Sequence, residues 1–278
     1  MKEQRGKDLF DLTDRVVVIT GGAGLLGEQH ARAIAEKSGR PVLIDIKKNE
    51  LSDLSNQLKD AYGLESEIFC GDICDEEFLR QVKEKLVSKF GRIDALINNA
   101  ALNPQVSKDA NPALTRLEEF PVSQWMKELQ VGLTGAFICS RVFGEVMSNQ
   151  GHGVIINVSS DLGLIAPDQR LYQQAGLAPD KQPTKPVTYS VIKHGLIGLT
   201  RYLSTYWIND GVRSNAICPG GVELDQSDVF IAEVSKLIPM GRMAKPSEYK
   251  GAIQFLCSDA STYMNGACLT IDGGRSAW

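Results

Sequence analysis

Arg15-Val16-Val17-Val18-Ile19-Thr20-Gly21-Gly22-Ala23-Gly24-Leu25-Leu26-Gly27 is a short β-branched run that breaks into a glycine-rich turn. The run is too short for a helix and continuously apolar, so it reads as a strand covered on both faces. Residues 28–37 behind it have helical spacing. Strand, glycine turn and helix in that order suit a dinucleotide. The glycines let a pyrophosphate approach the backbone, and the open N–H groups and dipole of the helix favour its negative charge. Gly21, Gly24 and Gly27, with Leu25 and Leu26 between them, form the candidate phosphate cradle.

The rhythm continues along the chain. Residues 41–46, 67–70, 93–98, 154–159, 212–218 and 267–271 are further short apolar runs. Helical spacing fills residues 50–61, 76–90, 125–148, 187–209 and 247–258. Alternating strands and helices predict an α/β fold: a single-domain, Rossmann-type, doubly wound parallel sheet of about seven strands with helices on both faces, over residues 1–278. Residues 164–186 break the rhythm with four prolines and many polar side chains. A loop of that length reads as an insertion that lines a pocket or a subunit contact.

Composition narrows the class. Thirty Lys and Arg against 34 Asp and Glu give a net charge of −4 over 278 residues, with no basic run, which argues against a nucleic-acid partner. No apolar stretch approaches a membrane span, and the polar N-terminal stretch lacks a signal-peptide core, so a cytoplasmic protein without a membrane partner is expected. The six cysteines form no C-x-x-C pair and no zinc-type cluster, so no metal is expected and the thiols read as reduced.

Two further features carry chemistry. Asp45 ends the second run, 18 positions after Gly27. A carboxylate there accepts the ribose hydroxyls of adenosine and repels a 2′-phosphate, which points to NAD over NADP. Ile46 follows it, and Lys47 and Lys48 behind could soften the preference. Tyr189-Ser190-Val191-Ile192-Lys193 opens a helix, and positions i and i+4 share a face. A lysine ammonium there would lower the phenol from about 10, so that the tyrosine exchanges a proton with an alcohol oxygen.

Over residues 13–274 the chain resembles the classical short-chain dehydrogenase/reductase family. The matching motifs occur in the family's order: the glycine turn, Asp72, Asn98-Asn99-Ala100-Ala101, Ser159-Ser160, Tyr189 with Lys193, residues 215–220 (NAICPG), residues 239–246 (PMGRMAKP) and residues 271–274 (IDGG). The resemblance implies roles. Tyr189 would be the general acid/base, Ser160 would hold the reacting oxygen, and Lys193 would bind the nicotinamide ribose. Asp72 and Ile73 would contact adenine, and Asn99, Ala100 and Ala101 would line the cofactor. Pro219, Gly220 and Val222 would border the carboxamide. Residues 223–240 would form a substrate lid. The partner would be a small-molecule substrate, and the helix after Tyr189 would make a homodimer or homotetramer.

Three departures qualify the resemblance. The spacing Gly21, Gly24, Gly27 looks like the extended branch, whereas the IDGG ending suits the classical one. Gly132, in Val131-Gly132-Leu133-Thr134-Gly135-Ala136-Phe137, stands where the family often has an asparagine that helps hold a water beside the lysine. Backbone and water complete that relay, or catalysis is slower, or it is absent. Ser160 and Tyr189 lie 29 positions apart because of the proline-rich insertion, so Asp161, Asp168, Gln169, Arg170, Tyr172 and Lys181 could meet a polar substrate. The insertion, KPVTYSVIKHG and CPGGVE look like the branch of flagellin modification protein A. That likeness implies a sugar-phosphate or sugar-nucleotide-related substrate. Two alternatives stay open: a dinucleotide-binding protein without catalysis, and a nucleotide-sugar epimerase or dehydratase that retains its cofactor.

Overall fold

Each short apolar run becomes a strand because both of its faces are covered. In a computed structural model describing residues 8–102 and 115–278, Val17 and Ile19 enter one apolar layer while Val16 and Val18 enter the other. This is the period of two that a pleated strand imposes. The first seven residues of the polar N-terminal stretch lie outside the described residues.

The strands are β1 (Val16–Thr20), β2 (Arg40–Asp45), β3 (Glu67–Cys70), β4 (Ala95–Asn98), β5 (Gly153–Val158), β6 (Val212–Pro219) and β7 (Cys268–Ile271). They form one seven-stranded sheet in the order β3-β2-β1-β4-β5-β6-β7, and every pairing is parallel. The expected α/β, Rossmann-type architecture is therefore the observed one. The order reverses between β1 and β4, and such a switch point opens a crevice at the carboxyl ends of the strands.

The helices are α1 (Leu25–Ala35), α2 (Lys48–Tyr62), α3 (Glu76–Phe90), α4 (Val122–Leu129), α5 (Gly135–Gln150), α6 (Val187–Tyr206), α7 (Asp228–Lys236) and α8 (Lys250–Cys257). Buried side chains of α1, α2 and α8 share one core layer, and those of α3 and α5 share the other. Two boundaries differ from the sequence expectation. The helix expected over 125–148 is divided by a π-helical turn, Gln130–Thr134, which contains Gly132. The segment expected as a lid contains α7, capped by the Ser227 side chain on the Phe230 N–H. Among the described residues, no helix is long and apolar enough to cross a membrane.

Candidate active site

The glycine turn needs its glycines for steric reasons. Gly21 has φ +63°, and a Cβ on it would lie 2.8 Å from the Ala100 Cα. A Cβ on Gly27 would lie 2.1 Å from the Gly21 carbonyl oxygen. The turn then runs into α1 at Gly24 with no side-chain cap, which leaves the first amides of the helix open at the crevice. Leu25 is exposed, and Leu26 is half-buried against the core. Room for a close-approaching phosphate and free N–H donors together fit a dinucleotide pyrophosphate.

Residues from neighbouring strand ends brace this cradle. Asn99 Nδ2 donates to the carbonyls of Thr20 and Gly21, each at 3.0 Å. The amides of Asn99 and Ala100 donate to Thr20 Oγ1. Asn99 thus acts on the glycine turn as a strut, while Ala101 is exposed beyond it. Asp45 ends β2, and its carboxylate accepts from the Ala23 amide at 3.1 Å and the Lys47 amide at 3.1 Å. Ile46 is 68% exposed beside it. Asp72 is exposed and accepts from the Cys74 amide. The Ile73 side chain is buried against Gly135. On the other side of the crevice, Gly220 lies so near Asp272 that a Cβ would sit 2.7 Å from its Cα. Pro219 ends β6, and Val222 forms a bridge to Ala244.

The serine, tyrosine and lysine converge at the carboxyl end of β5. Ser159 Oγ donates to the Lys193 carbonyl at 2.7 Å, which clamps α6 onto the strand. Gly163 allows this contact, since a Cβ there would strike Ser159 Oγ and the Lys193 backbone. The Ser160 side chain acts on the Tyr189 phenol, favouring its ionised form. Lys193 Nζ lies 5.7 Å from the Tyr189 ring centroid and donates to the Val158 carbonyl at 2.8 Å. The three residues expected from the sequence are therefore brought together.

The expected electrostatics need correction. Burial raises the Tyr189 phenol above its ordinary range, against the opposing pull of Ser160 and Arg275. The phenol is moved by burial, Ser160, Asp161 and Arg275 rather than by Lys193, which is itself buried. Its ammonium is pushed down to about 8 by burial first and by Lys185 second. Gly132 leaves no room for a relay side chain: a Cβ would lie 2.8 Å from Ile192 Cγ2.

Of the residues expected to meet a polar substrate, Asp161 and Tyr172 reach this cluster. Asp161 is buried, accepts from Ser160 Oγ at 2.7 Å, and pairs with the buried Arg275 at 3.0 Å. The Tyr172 ring packs 5.9 Å from that of Phe230 on α7, and burial pushes its phenol up to about 12. Arg170 pairs with Asp168, and Lys181 lies beside Asp180 at the surface. Gln169 Oε1 accepts from the Lys185 amide. Lys185, Arg275 and Glu128 went unnoticed in the sequence. Lys185 stands four positions before Tyr189, a spacing that could have flagged it.

Comparisons with known proteins agree with this geometry. A family model described as enoyl-(acyl carrier protein) reductase matches residues 22–276. The chain is 32% identical over 268 residues to a cis-4-hydroxycyclohexanecarboxylate dehydrogenase of Sinomonas cyclohexanicum, covering 95% of this chain and 97% of that one. It is 32% identical over 275 residues to an NADP-dependent mannitol dehydrogenase of Hypocrea jecorina, covering 96% and 94%. The fold is similar to that of a gluconate 5-dehydrogenase from Burkholderia cenocepacia solved with NADP and tartrate. There the TM-score is 0.84, the identity 26%, and the coverage 98% of each chain.

Proposed function

Because this chain belongs to the short-chain dehydrogenase/reductase family, a nicotinamide-dependent oxidoreductase acting on CH–OH groups, we propose that it interconverts a polyhydroxylated secondary alcohol and its ketone. The observation that carries the reading is the convergence of Ser160, Tyr189 and Lys193 at the carboxyl end of β5, with the Lys193 ammonium 5.7 Å from the Tyr189 ring centroid and anchored on the Val158 carbonyl. Polyol and hydroxy-acid dehydrogenases among the relatives support the substrate class.

In this reading Gly21, Gly24 and Gly27 hold the pyrophosphate, Asp45 takes the adenosine ribose, and Lys193 takes the nicotinamide ribose. When bound, the nicotinamide supplies the hydride acceptor or donor. Ser160 holds the reacting oxygen. The neutral Tyr189 phenol would give its proton to the ketone oxygen as hydride adds to carbon, leaving a phenolate, and in the oxidising direction that phenolate would take the hydroxyl proton back as the hydride leaves. Asp161, clamped by Arg275, accepts from the Ser160 hydroxyl and so fixes its position beside the reacting oxygen. The insertion and α7, in contact through Tyr172 and Phe230, wall the substrate side.

Asp45 favours NAD in this proposal, although NADP-dependent relatives use the same fold. We also read the exposed Tyr202 and Tyr206 on α6 as part of a subunit contact in a dimer or tetramer. Trp207, by contrast, packs within the chain on Gly144. Tryptophan-fluorescence titration with NADH and NADPH, followed by turnover on polyols, hydroxy acids and simple ketones, tests the reading. Tighter NADH binding with polyol or hydroxy-acid turnover is expected. A sugar phosphate or nucleotide sugar, the substrate implied by the flagellin-modification likeness, forms the competing arm. Turnover confined to that arm, or none at all, overturns the polyol assignment.

A further inference from the structure

Lys185 is a cation held against the reacting tyrosine. Its Nζ lies 3.9 Å from the Tyr189 ring centroid, nearer than Lys193. Its backbone is fixed on both sides. The Lys185 amide donates to Gln169 Oε1 at 2.8 Å, and Thr184 donates through its amide to Thr115 Oγ1 at 3.2 Å and through its hydroxyl to the Thr115 carbonyl at 2.6 Å. Pro186 then caps α6, which begins at Val187. The ammonium is carried into the site by a braced segment rather than by a free loop.

The carboxylates that face it are committed elsewhere. Asp161 accepts from Ser160 and pairs with Arg275. Glu128 accepts from Thr188 and, at 2.6 Å, from Gln124. Among the described residues, no carboxylate forms an ion pair with Lys185. Burial pushes its pKa down to about 8, against the pull of Asp161 and Glu128, so it remains mostly charged at neutral pH. A half-buried cation without a paired anion is under-satisfied, and a bound carboxylate would satisfy it with a charge-assisted hydrogen bond.

We propose that Lys185 binds an anionic carboxylate on the substrate, which makes this enzyme selective for polyhydroxy acids over neutral polyols. The inference rests on the alcohol-oxidising reading above and deepens it by naming the group that is recognised. A carboxylate at Lys185 would fix which carbinol carbon of a multi-hydroxyl chain lies beside Tyr189, because the anchor and the reacting oxygen are then set apart by a fixed span.

Matched pairs test this: D-mannonate against D-mannitol, and D-threonate against D-threitol. Two measurements are made on wild type, Lys185→Met and Lys185→Arg. The first is kcat/KM for each compound with NAD and NADP. The second is calorimetric binding of the two acids to enzyme saturated with NADH, which needs no turnover. In wild type the acid of each pair should be preferred. In Lys185→Met the acid-to-alditol ratio should fall at least about tenfold and acid binding should weaken in step, whereas Lys185→Arg should retain the preference. Using the ratio cancels any general effect on Tyr189. NADH affinity within a few-fold of wild type shows that the variants fold. An unchanged ratio in Lys185→Met, wild-type preference for the alditols, or no acid binding to the NADH-loaded wild type overturns the proposal. If neither acids nor alditols turn over, the alcohol-oxidising reading fails for this class, and calorimetry still decides the role of Lys185.

Discussion

In the proposed mechanism Tyr189 carries the proton, in a site where its phenol is hard to ionise, and this frames what its neighbours must do. Burial favours the neutral phenol. Tyr189→Phe keeps the ring that Lys185 and Lys193 approach but removes the proton carrier. Turnover should fall by about 10²–10⁴-fold with dinucleotide affinity little changed, as checked by steady-state kinetics beside NADH titration. Asp45→Ala removes the carboxylate that accepts from the Ala23 amide. The preference for NADH over NADPH should narrow by about tenfold, read as the ratio of the two dissociation constants. Ser160, Tyr189 and Lys193 were legible because each sits in a local motif on a strand end or one helix face. Arg275 was not, since its partner Asp161 lies 114 positions away in the chain.

Between α4 and α5, the sequence reads as one continuous helix, and the structure interrupts it. Helical spacing is nearly preserved by a single π turn, so periodicity alone does not reveal it. The physical reason for glycine at 132 is contact with α6: Ile192 occupies the place a side chain would take. Gly132→Asn should therefore destabilise the fold by about 1–3 kcal/mol instead of improving catalysis. Pairing it with Ile192→Ala should recover part of that loss, and a double-mutant cycle of thermal unfolding measures the coupling. The three outcomes the sequence left open for this position are then separable, because the double variant offers an asparagine the room that Ile192 otherwise takes.

Stability of the molecule against acid should depend on His30. It is wholly buried in α1, and neither ring nitrogen has a hydrogen-bond partner among the described residues. Burial lowers its pKa to about 3 from the ordinary 6.5. The unfolded chain then binds a proton between these values that the folded chain refuses. The contribution of the neutral imidazole is full above about 6.5 and is lost as pH falls toward 3, by up to about 1.4 kcal/mol per pH unit. His30→Leu should flatten the fall in melting temperature between pH 7 and pH 5 relative to wild type. The alternation of strands and helices, the glycine turn and the serine–tyrosine–lysine set follow from short-range motifs, because hydrophobic period and glycine sterics act over a few neighbouring residues. The brace of Asn99 on the glycine turn, the Asp161–Arg275 pair, the Ile192 contact with Gly132 and the ammonium of Lys185 over Tyr189 do not. The first three join segments distant in the chain, and the last depends on a segment that Gln169 and Thr115 hold in place, so packing determines which polar groups find partners there.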